Sequence, residues 1–274
     1  MKYILGLIFL LAGLGQVEAG ALERLDGRPV QGGLMLGKTL PGSVVTLDGA
    51  PLPVSEEGNF VFGFDRDRTG RVTLQIIAPD GSIDTQQIEI ETRAFDIQRI
   101  DGLPPKYVSP PPEELERIRQ ESEQKKAARA RETLQDWYAT GFEWPARGRI
   151  SGVYGSQRVY NGEPRNPHFG VDIAAPEGTP VTAPADGIVT LAESDMYFEG
   201  GLIFIDHGAG LTGVLMHLAR VDVKAGDFVR KGDVVGAIGA TGRATGAHLD
   251  WRMYWRNAHI DPELLVPPMR EAAR

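Results

Sequence analysis

The 274 residues are 42% hydrophobic and 24% charged, an ordinary globular composition with enough apolar material for one or two cores. A formal net charge of −8 argues against nucleic-acid binding, which needs a basic footprint. With no cysteine, the chain uses neither disulfides nor thiolate metal sites, and it has no N-terminal cysteine to carry a lipid anchor.

The first stretch, "MKYILGLIFLLAGLGQVEAG", places Lys2 before an apolar run from Tyr3 to Leu14 and ends in the small-residue pattern Val17-Glu18-Ala19. It reads as a signal peptide over 1–19, cleaved after Ala19. The apolar run is shorter than the roughly 20 residues that cross a bilayer, and the expected mature chain has no membrane span. The expectation is export, to a periplasm in preference to the extracellular medium.

From 22 to 100 the chain carries short β-type runs, among them "SVVTLDG", "NFVFGF", "RVTLQIIAPDG" and "QQIEIET". Asp48-Gly49 and Asp80-Gly81 supply turns between them. This spacing predicts a small β-sandwich. It holds no histidine, and "GKT" at Gly37 to Thr39 lacks the rest of a phosphate loop, so a spacer or docking module is the expectation. A proline-rich linker follows over 101–112. The segment 113–137 has Glu113 and Glu114 in its first turn and no internal Gly or Pro, which predicts a connecting helix. Leu115 and Ile118 give it one apolar turn, but Ser122 and Lys125 interrupt the stripe, so it should lie against a domain and not form a coiled coil.

From 142 to 268 glycine is frequent, strand-like runs alternate with turns, and all five histidines occur. The pattern predicts an antiparallel β domain that carries the chemistry. In "HFGVDIAAP", an extended segment would point His168 and Asp172 to one face, a pair suited to a metal but common without one. In "TGVLMHLARV", Val214, Met216 and Leu218 should form a buried face with His217 opposite, toward a cleft. In "GAHLDWRMYW", alternation places His248, Asp250 and Arg252 on one face and Leu249, Trp251 and Met253 on the other. His207 and His259 read as structural. The run "GAIGATGRATG" lacks the Lys-Ser/Thr of a phosphate loop and reads as a tight turn before the last strand.

The words "PHFGVDIAAPEGTPVTAPADGIVT", "GLIFIDHG" and "VLMHLARVDVKAGDFVRKGDVVGAIGATGRATGAHLDW" together resemble the lysostaphin/LytM-type zinc metallopeptidases that cut peptidoglycan cross-links. The resemblance runs from Arg149 to Trp255. It implies a mostly β chain: N-terminal sandwich, connecting helix, C-terminal antiparallel LytM-like peptidase domain. It also implies one Zn²⁺ per chain, held by His168, Asp172 and the residue at 250, with His217 and His248 catalytic and peptidoglycan peptide stems as substrate. Tyr160, Asn161 and Arg165 precede the first ligand closely enough to contact substrate.

The family has histidine where this chain has Asp250. Three readings stand: Asp250 replaces the histidine as a ligand; Asp250 pairs with Arg252 and no metal binds; or Arg252 orients Asp250 while it ligates. The alternative to an enzyme is a silent LytM-like regulator that binds peptidoglycan or activates a separate cell-wall hydrolase partner, with the helix as a gate.

Overall fold

The computed structural model describes residues 21–100, 110–160 and 163–269; the predicted signal peptide and most of the proline-rich linker lie outside them. Within the described residues, seven strands come first: β1 (Leu22–Gly27), β2 (Leu34–Thr39), β3 (Val44–Leu47), β4 (Ala50–Leu52), β5 (Asn59–Gly63), β6 (Gly70–Ile77) and β7 (Ile83–Ile90). They form two sheets, β1-β2-β5 and β4-β3-β6-β7, which enclose Phe60, Phe62, Phe64, Leu74 and Ile76. Alternation explains the enclosure: in β6, Val72, Leu74 and Ile76 are buried while Gln75 and Ile77 are not.

β8 (Ile97–Ile100) leaves this pair of sheets. It runs parallel to β10 (Gln157–Tyr160), which in turn pairs with β11 (Glu163–Pro164). A bridge from Val30 to Glu91 carries the pairing of the first two sheets one residue past β7.

The predicted helix is α1 (Leu115–Arg129), preceded by a 3-10 turn at Pro112–Glu114. It stops well short of 137. No Gly or Pro ends it; tertiary hydrogen bonds do. The Ala209 amide donates to Thr133 O at 2.8 Å, Thr133 Oγ1 to Asp206 Oδ2 at 3.1 Å, and the Tyr138 amide to His207 O at 3.1 Å. These bonds tie 133–138 to the end of a strand, with Trp137–Thr140 turning as a short 3-10 helix, and propensity yields to them.

The remaining strands are β9 (Arg149–Gly152), β12 (Gly170–Ala174), β13 (Pro180–Thr182), β14 (Gly187–Met196), β15 (Gly200–Asp206), β16 (Leu211–Val221), β17 (Phe228–Val229), β18 (Val234–Ile238), β19 (His248–Trp255) and β20 (Ala258–Ile260). They make one antiparallel sheet ordered β17-β14-β15-β16-β19-β12-β9, with β13, β18 and β20 attached. One face of it buries Val171, Ile173, Ile203, Ile205, Leu215, Leu249, Trp251 and Met253 in the largest core. The other face carries Leu202, Phe204, Val214, Met216 and Tyr254, and Ala128 of α1 packs onto it.

The expected alternation in β16 fails at one point. Val214 and Met216 face α1, but Leu218 joins the larger core beside Leu215. The cause is a β-bulge: β15 advances two residues, Gly201 to Ile203, while β16 advances three, from Leu215 to Leu218. His217 sits in it with φ of 64°.

The N-terminal sheets pack against the later strands. Leu34 and Val61 belong to the same buried cluster as the peptidase-side strands. Arg93 Nη2 meets Asp261 Oδ2 at 2.8 Å, where the Asp261 side chain is 1% exposed. Arg66 donates through Nε and Nη2 to Gly155 O at 3.0 and 2.9 Å.

Candidate metal centre

Pairing of β12 with β19 sets Asp172 directly across from Asp250, Ala174 across from His248, and Gly170 across from Arg252. Two carboxylates opposed in this way repel each other unless something positive lies between or beside them. His168, in the loop before β12, brings Nε2 to 3.2 Å from Asp172 Oδ1. One donor atom each from His168, Asp172 and Asp250 lie within 4.8 Å of one another, the single such group among the described residues.

The atoms themselves test the fit of a cation. His168 Nε2 and Asp172 Oδ1 are buried and have no hydrogen-bond partner. Orphaned polar atoms of this kind are costly, and a divalent cation between them would satisfy both. Asp250 is differently placed. It is 3% exposed, and Arg252 Nη2 donates to its Oδ2 at 2.7 Å while Nε reaches Oδ1 and Oδ2 at 3.1 and 3.2 Å. Burial pushes the Asp250 carboxyl up, but the adjacent Arg252 guanidinium outweighs it and holds the group below its ordinary range. An ionised carboxylate has about four lone-pair sites, so Arg252 leaves room for a further bond. One imidazole and two carboxylates suit zinc.

The bulge in β16 determines where His217 points. Its amide donates to Glu199 O at 2.9 Å, and its ring lies 4.7 Å, centroid to centroid, from that of His248. His217 Nδ1 faces Thr241 O at 3.0 Å and His248 Nδ1 faces Gly246 O at 2.8 Å. A carbonyl only accepts, so both rings carry a proton on Nδ1 and turn Nε2 away from it. Burial holds His217 below the usual imidazole range and outweighs the opposing pull of Asp250. It is therefore neutral at neutral pH and can accept a proton. His248 Nε2 lies 3.9 Å from Asp172 Oδ1.

Two glycines make the space. A Cβ on Gly152 would fall on the Asp172 carboxylate, and one on Gly170 would come within 2.6 Å of Asp250 Oδ1.

The structure thus brings His168, Asp172, His217, His248 and Asp250 together, with Arg252 against Asp250. Of the candidate substrate contacts, Tyr160 ends β10, Asn161 lies outside the described residues, and the Arg165 carbonyl accepts from Gln157 Nε2 at 2.7 Å. His207 is fully buried, with Nδ1 2.7 Å from Asp186 O. His259 stacks on Phe169 with centroids 3.7 Å apart and faces Asp65 at 3.4 Å. Neither enters the cluster. Thr241 was hidden in the glycine-rich run: its carbonyl orients His217, and its hydroxyl donates to Leu218 O at 2.9 Å and accepts from the Gly201 amide at 3.0 Å.

A model of peptidase family M23 matches residues 166–262, which span the cluster. A solved Pseudomonas aeruginosa structure, provisionally classed as an M23 peptidase, is 30% identical; the alignment covers 87% of this chain and 95% of that one, at a TM-score of 0.65. The chain belongs to peptidase family M23. This is the family whose lysostaphin/LytM-type members it resembles in sequence. The peptidoglycan DD-endopeptidase ShyC of Vibrio cholerae is 34% identical over 105 residues, which cover 38% of this chain and 24% of ShyC. The DD-carboxypeptidase/endopeptidase Mpg of Neisseria meningitidis is 36% identical over 104 residues, again 38% of this chain and 24% of Mpg. The match with these two relatives spans about a quarter of their length.

Proposed function

We propose that this chain is a zinc metallo-endopeptidase that hydrolyses peptide cross-links of peptidoglycan. The observation that carries the reading is the pair of orphaned atoms, His168 Nε2 and Asp172 Oδ1, facing each other at the centre of an M23 domain. His168, Asp172 and Asp250 would hold one Zn²⁺, which when bound supplies a Lewis acid that polarises the scissile carbonyl. Arg252 fixes the Asp250 carboxylate and keeps it ionised. His217 and His248, both with Nδ1 tied to a carbonyl, present Nε2 to the same space. Between them they can take a proton from the attacking water and return it to the leaving nitrogen. Export to a periplasm, with the leader removed after Ala19, accords with this substrate, and the division into sandwich, linker, helix and peptidase domain belongs to the same proposal.

One observation favours a second reading. The three contacts from Arg252 hold Asp250 without any cation, as a silent regulator of a separate cell-wall hydrolase would permit.

Zinc stoichiometry on the purified mature chain, followed by hydrolysis of cross-linked peptidoglycan fragments, separates the two. One zinc per chain with release of the cross-link supports the enzyme. No zinc in the wild type, with binding restored by Asp250→His, supports the regulator and defeats the enzyme.

A further inference from the structure

The polar residues that interrupt the stripe of α1 have a place in the fold. Ser122, Lys125 and Arg129 follow one another along the helix face turned to the sheet, and with Arg252 and Glu199 they line a cavity of about 240 Å³. Its floor is apolar, made by Leu202, Phe204 and Met216. Lys125 Nζ and Glu199 Oε1 pair at 2.6 Å, and Arg252 is committed to Asp250. Arg129 is left: it stacks over Tyr254 at 5.0 Å, and no carboxylate pairs with it among the described residues. Glu199 Oε2 is buried and has no hydrogen-bond partner. The cavity therefore offers one cation without an anion and one carboxylate oxygen without a donor, over an apolar floor.

It also adjoins the metal centre. Met216 is opposite Asp250 in register, and Arg252 is the next residue on that face of β19. Arg252 and Tyr254, which both line the cavity, stand two and four residues along β19 from Asp250, and the strand rise of about 7 to 13 Å is the span of two to four residues of an extended peptide.

Resting on the peptidase reading above, we propose that this cavity is a substrate subsite, two to four residues from the scissile bond, for an aliphatic residue that bears a free carboxylate, received by Arg129, and an N–H donor, received by Glu199 Oε2.

The test compares a cross-linked peptide carrying a free carboxylate with the same peptide amidated there, in the wild type, Arg129→Gln and Lys126→Gln. Lys126 removes an equal charge from the same helix but does not line the cavity. A charge-assisted hydrogen bond predicts kcat/KM about 10- to 100-fold higher for the free acid in the wild type and in Lys126→Gln. In Arg129→Gln that ratio should fall to near 1. A second arm needs no turnover: NMR titration of each protein with D-alanyl-D-alanine and its C-terminal amide, to about 10 mM, a range that reaches millimolar Kd. Preference for the acid that depends on Arg129 is expected. No preference, no binding of the acid, or a preference that survives Arg129→Gln overturns the subsite. If hydrolysis fails for both peptides while the titration shows the Arg129-dependent preference, the peptidase reading falls and the subsite stands.

Discussion

Replacing Asp250 with asparagine keeps the side-chain volume and removes the charge. The carboxylate is 3% exposed and takes three contacts from Arg252, whose side chain is 27% exposed. Breaking a fully buried ion pair costs about 3–5 kcal/mol. Asparagine retains one acceptor and Arg252 is partly solvated, so the loss should be about 2 kcal/mol, or a Tm lower by about 4–8 °C for a chain of this size. The ligand reading makes a further demand. Zinc at a hundredfold excess over Kd should stabilise the wild type by about 2.7 kcal/mol, raising Tm by about 5–10 °C, and should leave Asp250→Asn unmoved. Thermal unfolding followed by circular dichroism, with and without zinc, reads both effects, and elemental analysis gives the stoichiometry. A variant that melts lower yet shows the same zinc-dependent shift and holds one zinc would refute the assignment of Asp250 as a ligand, leaving it only the partner of Arg252.

Gly152→Ala should weaken zinc binding without unfolding the chain, because its Cβ would displace the Asp172 carboxylate; unchanged zinc affinity by calorimetry would show that the space is not needed. His217→Ala and His217→Gly should both abolish hydrolysis. The glycine variant should be about 1 kcal/mol the more stable by urea unfolding, since φ of 64° strains alanine but not glycine; equal stabilities would remove strain as a property of the bulge. Acid should weaken the fold through His207, whose imidazole burial pushes down to about 4 from 6.5. The unfolded chain takes up that proton below about pH 6.5, while the native chain resists until about pH 4, so stability is complete above this window and falls as pH drops through it. At 1.36 kcal/mol per pH unit the loss is about 3 kcal/mol. Urea midpoints at several pH values should fall less steeply in His207→Gln, and equal slopes would show that His207 is not the source.

Period-2 patterning carried much of this site in advance. In β19, Leu249, Trp251 and Met253 are fully buried and His248, Asp250 and Arg252 face the cluster, because successive side chains of a strand point to opposite faces. The bulge at His217 was not legible. It depends on how β16 registers against β15, a relation between strands and not within one. The end of α1 was hidden for the same reason: its helix-forming residues continue past Arg129, and the hydrogen bonds that stop it come from 206–209. Thr241 was missed because its backbone carbonyl does the work, and a carbonyl leaves no mark on residue type.

The bond between Arg93 and Asp261 bears on how such chains are assembled from parts. The segment matched by the family model ends at residue 262, yet Asp261 is a buried acid whose cation comes from beyond β7, while Leu34 and Val61 supply wall to the same core. Cutting the chain at the proline-rich segment would strand that acid and open that wall. The set of residues that buries Asp261 and completes that wall is thus wider than the matched segment, and a graft of residues 166–262 alone would carry the chemistry without its foundation.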